Sequence, residues 1–219
     1  MKKSFIVIGL GRFGSSVARA LEAMNCDVLA IDIVEDCVSK IASEVPHCLI
    51  ADSTKINVLR DLGAASIDHA VVCIGNSLQA SILTIMNLRK LGVKKITVRA
   101  DEEDHKEVYK MLGATEVIIP EEASAISLAN QIISDTILDY YVVSEDYAMV
   151  KTSVGKGFEQ KTLVELDVRN RFDINIVGII KSDGEFYIPR GTDTLNPGDV
   201  VVVVGKKPQI RKFDSFLNN

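Results

Sequence analysis

Residues Phe5 to Gly14 read FIVIGLGRFG, an apolar run that stops at a glycine and turns through Gly9, Gly11 and Gly14 into a helical pattern. In a strand-turn-helix unit the first glycine permits the tight bend, the second lets the backbone approach a pyrophosphate, and the third lets helix pack on strand. The phosphates then rest on the unpaired N–H groups and positive dipole end of the helix. Two neighbours support this reading. Phe5 to Ile8 forms a buried-strand pattern directly before the turn, and Ser16 to Met24 carries apolar residues at helical spacing directly after it. A second apolar run, Val28 to Ile31, ends in Asp32, 18 residues past Gly14 and close to the ~20 expected for a ribose-binding acid. The plainer alternative is a degenerate turn with Asp32 as a helix cap.

Outward from this unit the chain alternates strand and helix. Val34 to Ser43 is predicted helical and His47 to Ala51 extended, with Ser53 and Thr54 as N-cap for a helix over Lys55 to Leu62. Ala70 to Ile74 is the next strand, followed by a helix from Leu78 to Leu91, a strand Ile96 to Arg99, a helix Glu102 to Leu112 and a strand Val117 to Ile119. Three of the helices end alike, at Leu62-Gly63-Ala64, Leu91-Gly92-Val93 and Leu112-Gly113-Ala114, where glycine suits the left-handed position past a helix end. Six strands in alternation with five helices predict a Rossmann-like, doubly wound parallel sheet of the α/β class. Its ligand crevice lies at the strand C-termini: Gly9 to Gly14, Asp32, Ala51 to Ser53, Ile74 to Asn76, Arg99 to Asp101 and Pro120 to Glu122. Helix capping is the competing role for Asp52, Ser53, Glu121 and Glu122.

Ser124 to Leu138 reads as one more helix, whose broad apolar face packs on its own sheet or crosses to another subunit. The texture changes after it. Tyr140 to Val150 is hairpin-like around Ser144-Glu145-Asp146, then come a short helix (Leu163 to Arg169), strands at Ile174 to Ile180, Phe186 to Ile188 and Val200 to Val204, and a closing helix from Pro208 to Phe213. The expected division is a nucleotide-binding domain over 1–139, including a crossover helix at 121–139, and a small α+β domain over 140–219.

A hydrophobic fraction of 47% with only 5% aromatics calls for a Val, Ile, Leu and Ala core, the palette of parallel sheets covered by helices. The longest aliphatic stretch, Val200 to Val204, is far short of the ~20 residues that span a bilayer. The basic N-terminus followed by an apolar run imitates a signal peptide, but Gly9, Gly11 and Arg12 interrupt it and no cleavage site follows. Net charge is −5, which argues against a nucleic-acid partner. Basic and acidic residues balance at 11 each over 141–219, so the acidity belongs to the first 140 residues. Cys26, Cys37, Cys48 and Cys73 form no CxxC pair and sit in apolar segments, which reads as reduced cysteines in a cytoplasmic protein. The three histidines decide much about chemistry at neutral pH. His47 and His69 fall at strand starts, away from the ligand end, and His105 lies on a charged helix turn. With no GxSxG, HExxH or Walker A sequence, the nucleotide is expected to be sensed rather than consumed.

The GLGRFG turn, Asp32, the segment Asp52-Ser53-Thr54, the run IGNSLQAS from Ile74 to Ser81, and Ile119-Pro120-Glu121 before a long helix and a small C-terminal module together resemble the regulators of potassium conductance (RCK/KTN) family. The likeness is to its free-standing KtrA/TrkA-type cytoplasmic regulatory subunits, and it covers essentially the whole chain. It implies a homodimer assembling into an octameric ring, bound at the inner face of the membrane to a potassium-translocating subunit of the KtrB/TrkH type. It also implies ATP or ADP in the N-terminal domain, at Gly9, Gly11, Arg12, Phe13, Gly14, Asp32, Ile33, Asp52, Ser53, Thr54, Ile74, Gly75, Asn76, Arg99 and Glu121. Within that set Asp32 holds the ribose hydroxyls, Arg12 reaches a γ-phosphate, its own or a neighbour's, and Glu121 joins a divalent-cation (Mg or Ca) site. Val34 departs from the family pattern, which often has Asn there, and this leaves NAD(H) in play. The C-terminal module resembles the half that binds cyclic di-AMP in several members, through Leu163, Val168, Arg169, Asn175, Ile176 and Pro189. The competing reading is an NAD(H)-dependent oxidoreductase or NADH-responsive redox sensor on the same fold; Asp32 disfavours NADP in either case.

Overall fold

The computed structural model describes residues 2–218, and the chain divides between Pro120 and Glu121 into two compact units. In the first, strands β1 (Ser4–Ile8), β2 (Asp27–Asp32), β3 (Cys48–Ile50), β4 (His69–Val72), β5 (Ile96–Arg99) and β6 (Glu116–Ile118) alternate with helices α1 (Arg12–Ala23), α2 (Glu35–Ser39), α3 (Ile56–Asp61), α4 (Leu78–Lys90) and α5 (Asp104–Met111). All neighbours pair in parallel, in the order β3-β2-β1-β4-β5-β6. This is the predicted doubly wound sheet, with its switch point between β1 and β4.

Side-chain alternation along β1 divides the core. Ile6 and Ile8 pack with Ala70 and Val72 against Leu59, Ile85, Leu88 and Tyr109 of α3, α4 and α5. Val7, one residue out of phase, packs with Val71 against Ala18 of α1 and Val38 of α2. Both faces of the strand are therefore buried, which is why its sequence is a continuous apolar run. Gly63, Gly92 and Gly113 all take positive φ, at 73°, 86° and 106°, as their positions after helix ends predict.

Several local expectations need correction. Helix α2 stops at Ser39, and the predicted stretch to Ser43 continues as tight turns, with Ile41 N–H bonded to Val38 O and Glu44 N–H to Ile41 O. Ser53 and Thr54 do not cap α3, which starts at Ile56 without a side-chain cap; the Asp52 carboxylate closes that turn. The predicted helix over Ser124 to Leu138 is α6 (Pro120–Ile133) followed by a strand, β7 (Ile137–Val142). The short polar run after Ile133 ends the helix: the Thr136 hydroxyl donates to Asp214 at 2.7 Å, and the Ser134 hydroxyl lies 2.7 Å from Thr136 Oγ1 and 3.2 Å from the other Asp214 oxygen, with one proton to give to either. The predicted helix over Leu163 to Arg169 is two pieces, α7 (Leu163–Leu166) and α8 (Val168–Phe172), broken at Asp167 with φ +45°.

The second unit holds an antiparallel sheet in the order β11-β10-β13-β8-β7, from β8 (Tyr147–Ser153), β10 (Ile174–Ile180), β11 (Phe186–Tyr187) and β13 (Val200–Lys206) with β7. A two-stranded ribbon pairs β9 (Lys161–Thr162) with β12 (Thr194–Leu195). Helix α9 (Lys207–Asn218) runs five residues beyond the predicted end at Phe213, burying Ile210, Phe213 and Leu217 on one face. Phe213 and Phe216 meet Phe172 at 5.3 Å each, and the Arg171 guanidinium covers the Phe216 ring at 4.8 Å.

Candidate nucleotide site

The three glycines have three different surroundings. Gly9 takes φ +91°, and a side chain there would press on the Cys73 carbonyl at 2.9 Å, so the turn lies directly against the end of β4. At Gly14 a Cβ would stand 1.9 Å from the Gly9 carbonyl oxygen, so only glycine lets the first turn of α1 close on the loop. Gly11, the N-cap of α1, has nothing within 4 Å of where its Cβ would be. The middle glycine thus leaves an open approach to the helix N-terminus, as phosphate binding requires.

Asp32, at the end of β2, reaches back to this turn. One carboxylate oxygen accepts from Leu10 N–H at 2.6 Å and the other from Val34 N–H at 2.8 Å. The acid therefore fixes the loop beside it, and each oxygen keeps a further lone pair for a ligand hydroxyl. Ile33 and Val34 follow, both exposed. Phe13 points the other way and packs with Val17 and Leu21 against the core.

After β3, Asp52 accepts from the Thr54 hydroxyl at 2.6 Å and from Thr54 N–H at 3.0 Å, with Lys55 Nζ at 3.4 Å. The Thr54 hydroxyl bond, with the Thr54 N–H and Lys55, holds the Asp52 carboxyl below the usual carboxylate range despite partial burial. A depressed folded-state value stabilises the protein fully above the ordinary carboxylate range and loses that contribution as pH falls through the depressed value. Urea midpoints for Asp52→Asn are expected to drop less between pH 6 and pH 3 than those of the unsubstituted protein; parallel drops would refute the linkage. Ser53 is buried, its hydroxyl shared with Thr84 at 2.8 Å, while Asn87 Nδ2 donates to the Thr54 carbonyl at 2.8 Å. Helix α4 thereby braces the loop from behind. Sequence reasoning missed Thr84 and Asn87, since only their burial on a mostly apolar face marks them.

After β4, Ile74 is half-buried against the core and Gly75 and Asn76 are exposed. The guanidinium of Arg99, from the end of β5, lies on Gly75: a Cβ there would come 2.5 Å from Nη1. Arg99 Nη2 is 2.9 Å from Asp101 Oδ1. Burial pushes the Cys73 thiol up to about 12, with the Arg99 charge opposing it, so Cys73 stays a neutral thiol at the crevice floor. The first unit thus brings Gly9, Gly11, Arg12, Gly14, Asp32, Asp52, Gly75 and Arg99 to one end of the sheet. His69 lies at the other end, bonded to Thr97 at 2.8 Å. Glu121 belongs to the second unit, exposed on the first turn of α6.

In the second unit, Arg169 Nε and Nη2 both donate to Asn175 Oδ1, at 3.0 and 2.7 Å, bringing two of the expected second-ligand residues together. Leu163, Val168 and Ile176 pack against the core beneath, and Pro189 follows β11. Strand β11 pairs with Ile179 and Ile180, so Ile174 to Ile176 and Gly178 pair on the β13 side alone, with Val177 left out at a register shift.

A TrkA-N domain model matches residues 5–120 and a TrkA-C domain model residues 148–218. The chain is 39% identical to Ktr system potassium uptake protein C of Bacillus subtilis over 98% of this chain and 97% of that protein. It is 34% identical to Ktr system potassium uptake protein A of the same organism, over 97% and 96%. The GsuK channel bound to NAD shares its fold, with a TM-score of 0.67 at 17% identity over the whole of this chain, which spans 40% of that channel chain. Among the described residues no helix is long and apolar enough to cross a membrane. With both domain models in order and full-length relatives at this identity, the chain belongs to the KtrA/TrkA-type regulators of potassium conductance.

Proposed function

We propose that this chain is the nucleotide-sensing regulatory subunit of a potassium-uptake system, binding ATP or ADP at the C-terminal end of the parallel sheet. The observation that carries the reading is Gly11, open to solvent between two glycines that are sterically fixed, with Asp32 tied to the same turn. Arg12 then faces the outermost phosphate, and Asp32 the ribose. Glu121 is the proposed ligand of a divalent cation, a carboxylate of the kind Mg²⁺ takes one or two of. The Ktr names of the full-length relatives support a membrane potassium-translocating partner, and an octameric ring at the cytoplasmic face is part of the same proposal. The role is regulatory rather than enzymatic: the crevice carries a neutral thiol, and His69 lies at the opposite end of the strands. Cyclic di-AMP is the proposed second ligand, at Arg169 and Asn175.

Titration calorimetry on the full chain with ATP, ADP and NADH tests this. Asp32→Ala is expected to weaken adenine-nucleotide binding by at least ~1.5 kcal/mol, the scale of losing a hydrogen bond to a charged group. Because Asp32 also holds Leu10 and Val34, circular dichroism must report an intact fold alongside. Unchanged affinity in a folded variant would end the ribose assignment, and heat from NADH alone would favour the redox-sensor reading.

A further inference from the structure

Arg99 is placed at the crevice by two constraints that have nothing to do with the glycine-turn motif. Its Nη1 rests where any side chain at Gly75 would be, and its Nη2 meets Asp101 Oδ1 at 2.9 Å. Gly75 has no positive φ to explain it, so its lack of a side chain makes room for the guanidinium. Gly75 is two residues beyond Cys73, whose carbonyl touches Gly9, so the ion pair sits beside the phosphate-binding turn. The arginine side chain is 18% exposed and the aspartate 41%. A cation this sheltered attracts phosphate strongly, and a carboxylate bonded to it opposes each further phosphate charge.

We propose that Asp101 is the specificity-determining residue of this crevice: its carboxylate tempers Arg99, so the site accepts a nucleoside diphosphate group and penalises a third phosphate. The inference rests on the nucleotide reading above and names the ligand class within it. Asp101 positions and partly neutralises Arg99 without itself binding ligand.

The test is calorimetry on the full chain in EDTA, with adenosine, ADP and ATP, for the unsubstituted protein, Asp101→Asn and the double variant Arg99→Gln/Asp101→Asn. Asp101→Asn is expected to tighten ATP by about tenfold and ADP by about fourfold, the scale of removing one charge near a polyphosphate in a largely aqueous setting. Adenosine affinity stays fixed, and the gain shrinks as salt rises. In the double variant the gain disappears. Gly75→Ala gives a second lever, because the added methyl displaces the flexible end of Arg99 and lowers ATP and ADP affinity without touching either charge. An unaltered ATP-to-ADP ratio in Asp101→Asn, with clear binding by the unsubstituted protein, overturns the proposal alone. No heat from any nucleotide in any variant overturns the nucleotide reading, and this with it.

Discussion

Gly14→Ala is expected to lower the melting temperature by roughly 10 °C or more, from an overpacking cost of about 3 kcal/mol. The reason is local and rigid. The new Cβ would fall 1.9 Å from the Gly9 carbonyl oxygen and 3.0 Å from the Cys73 Cβ, and the nearest atom is backbone that cannot rotate away. Helix α1 would have to lift from the turn, which also breaks the alignment of its first N–H groups toward a phosphate. Gly11→Ala is the control. Its methyl enters open space at φ −64°, so stability should stay within ~0.5 kcal/mol while nucleotide affinity falls, because the methyl occupies the approach to the helix N-terminus. Scanning calorimetry and nucleotide titration on both variants separate the two roles. Equal thermal losses would mean that neither glycine is reserved for a ligand.

Asp214→Ala is expected to cost the second unit about 3 kcal/mol, the scale of removing a charged acceptor from two or three hydrogen bonds. The carboxylate collects the hydroxyls of Thr152 at 2.5 Å, Thr136 at 2.7 Å and Ser134 at 3.2 Å. It thereby pins α9 to β8 and to the junction where α6 ends and β7 begins. Thr152 is fully buried, so part of the cost is its hydroxyl losing the stronger of two acceptors. Asp214→Asn keeps one carbonyl oxygen and should lie between. Four of the five tyrosines, Tyr140, Tyr141, Tyr147 and Tyr187, are in this unit and the chain has no tryptophan, so tyrosine fluorescence follows its unfolding. An unshifted urea midpoint for Asp214→Ala would show that the clamp adds nothing to stability.

The contrast between the two units explains what could be read from residues alone. Parallel-strand pairing imposes local signals: an apolar run, a turn with glycine, a helix face, and a glycine at the helix end. Each predicted strand of the first unit lies within about two residues of its observed bounds for that reason. The second unit depends on partners distant in sequence. Nothing near Leu138 distinguishes the last turn of an apolar helix from the first residues of a strand, and the residue that decides, Asp214, is almost 80 positions away. Asp167 breaks a helix through a left-handed conformation that sequence reading assigns first to glycine or asparagine. At the crevice, Gly9, Gly14 and Asp32 were legible because the motif states their spacing. The Asp101 contact to Arg99 was not, since two charged residues at a strand end have many ways to face solvent.

The interlocked turn has a kinetic consequence. Gly14 abuts the Gly9 carbonyl, Gly9 abuts β4, and Asp32 anchors Leu10, so contacts within the protein alone hold the proposed phosphate-binding loop in this shape. Binding there surrenders little chain entropy, and its apparent affinity is not divided by the rarity of a competent conformer. Capture is then governed by diffusion and charge steering, with rates that vary with ionic strength rather than with loop opening. A receptor loop of this kind answers quickly to a change in nucleotide concentration, and slow steps in any response belong to other parts of the molecule.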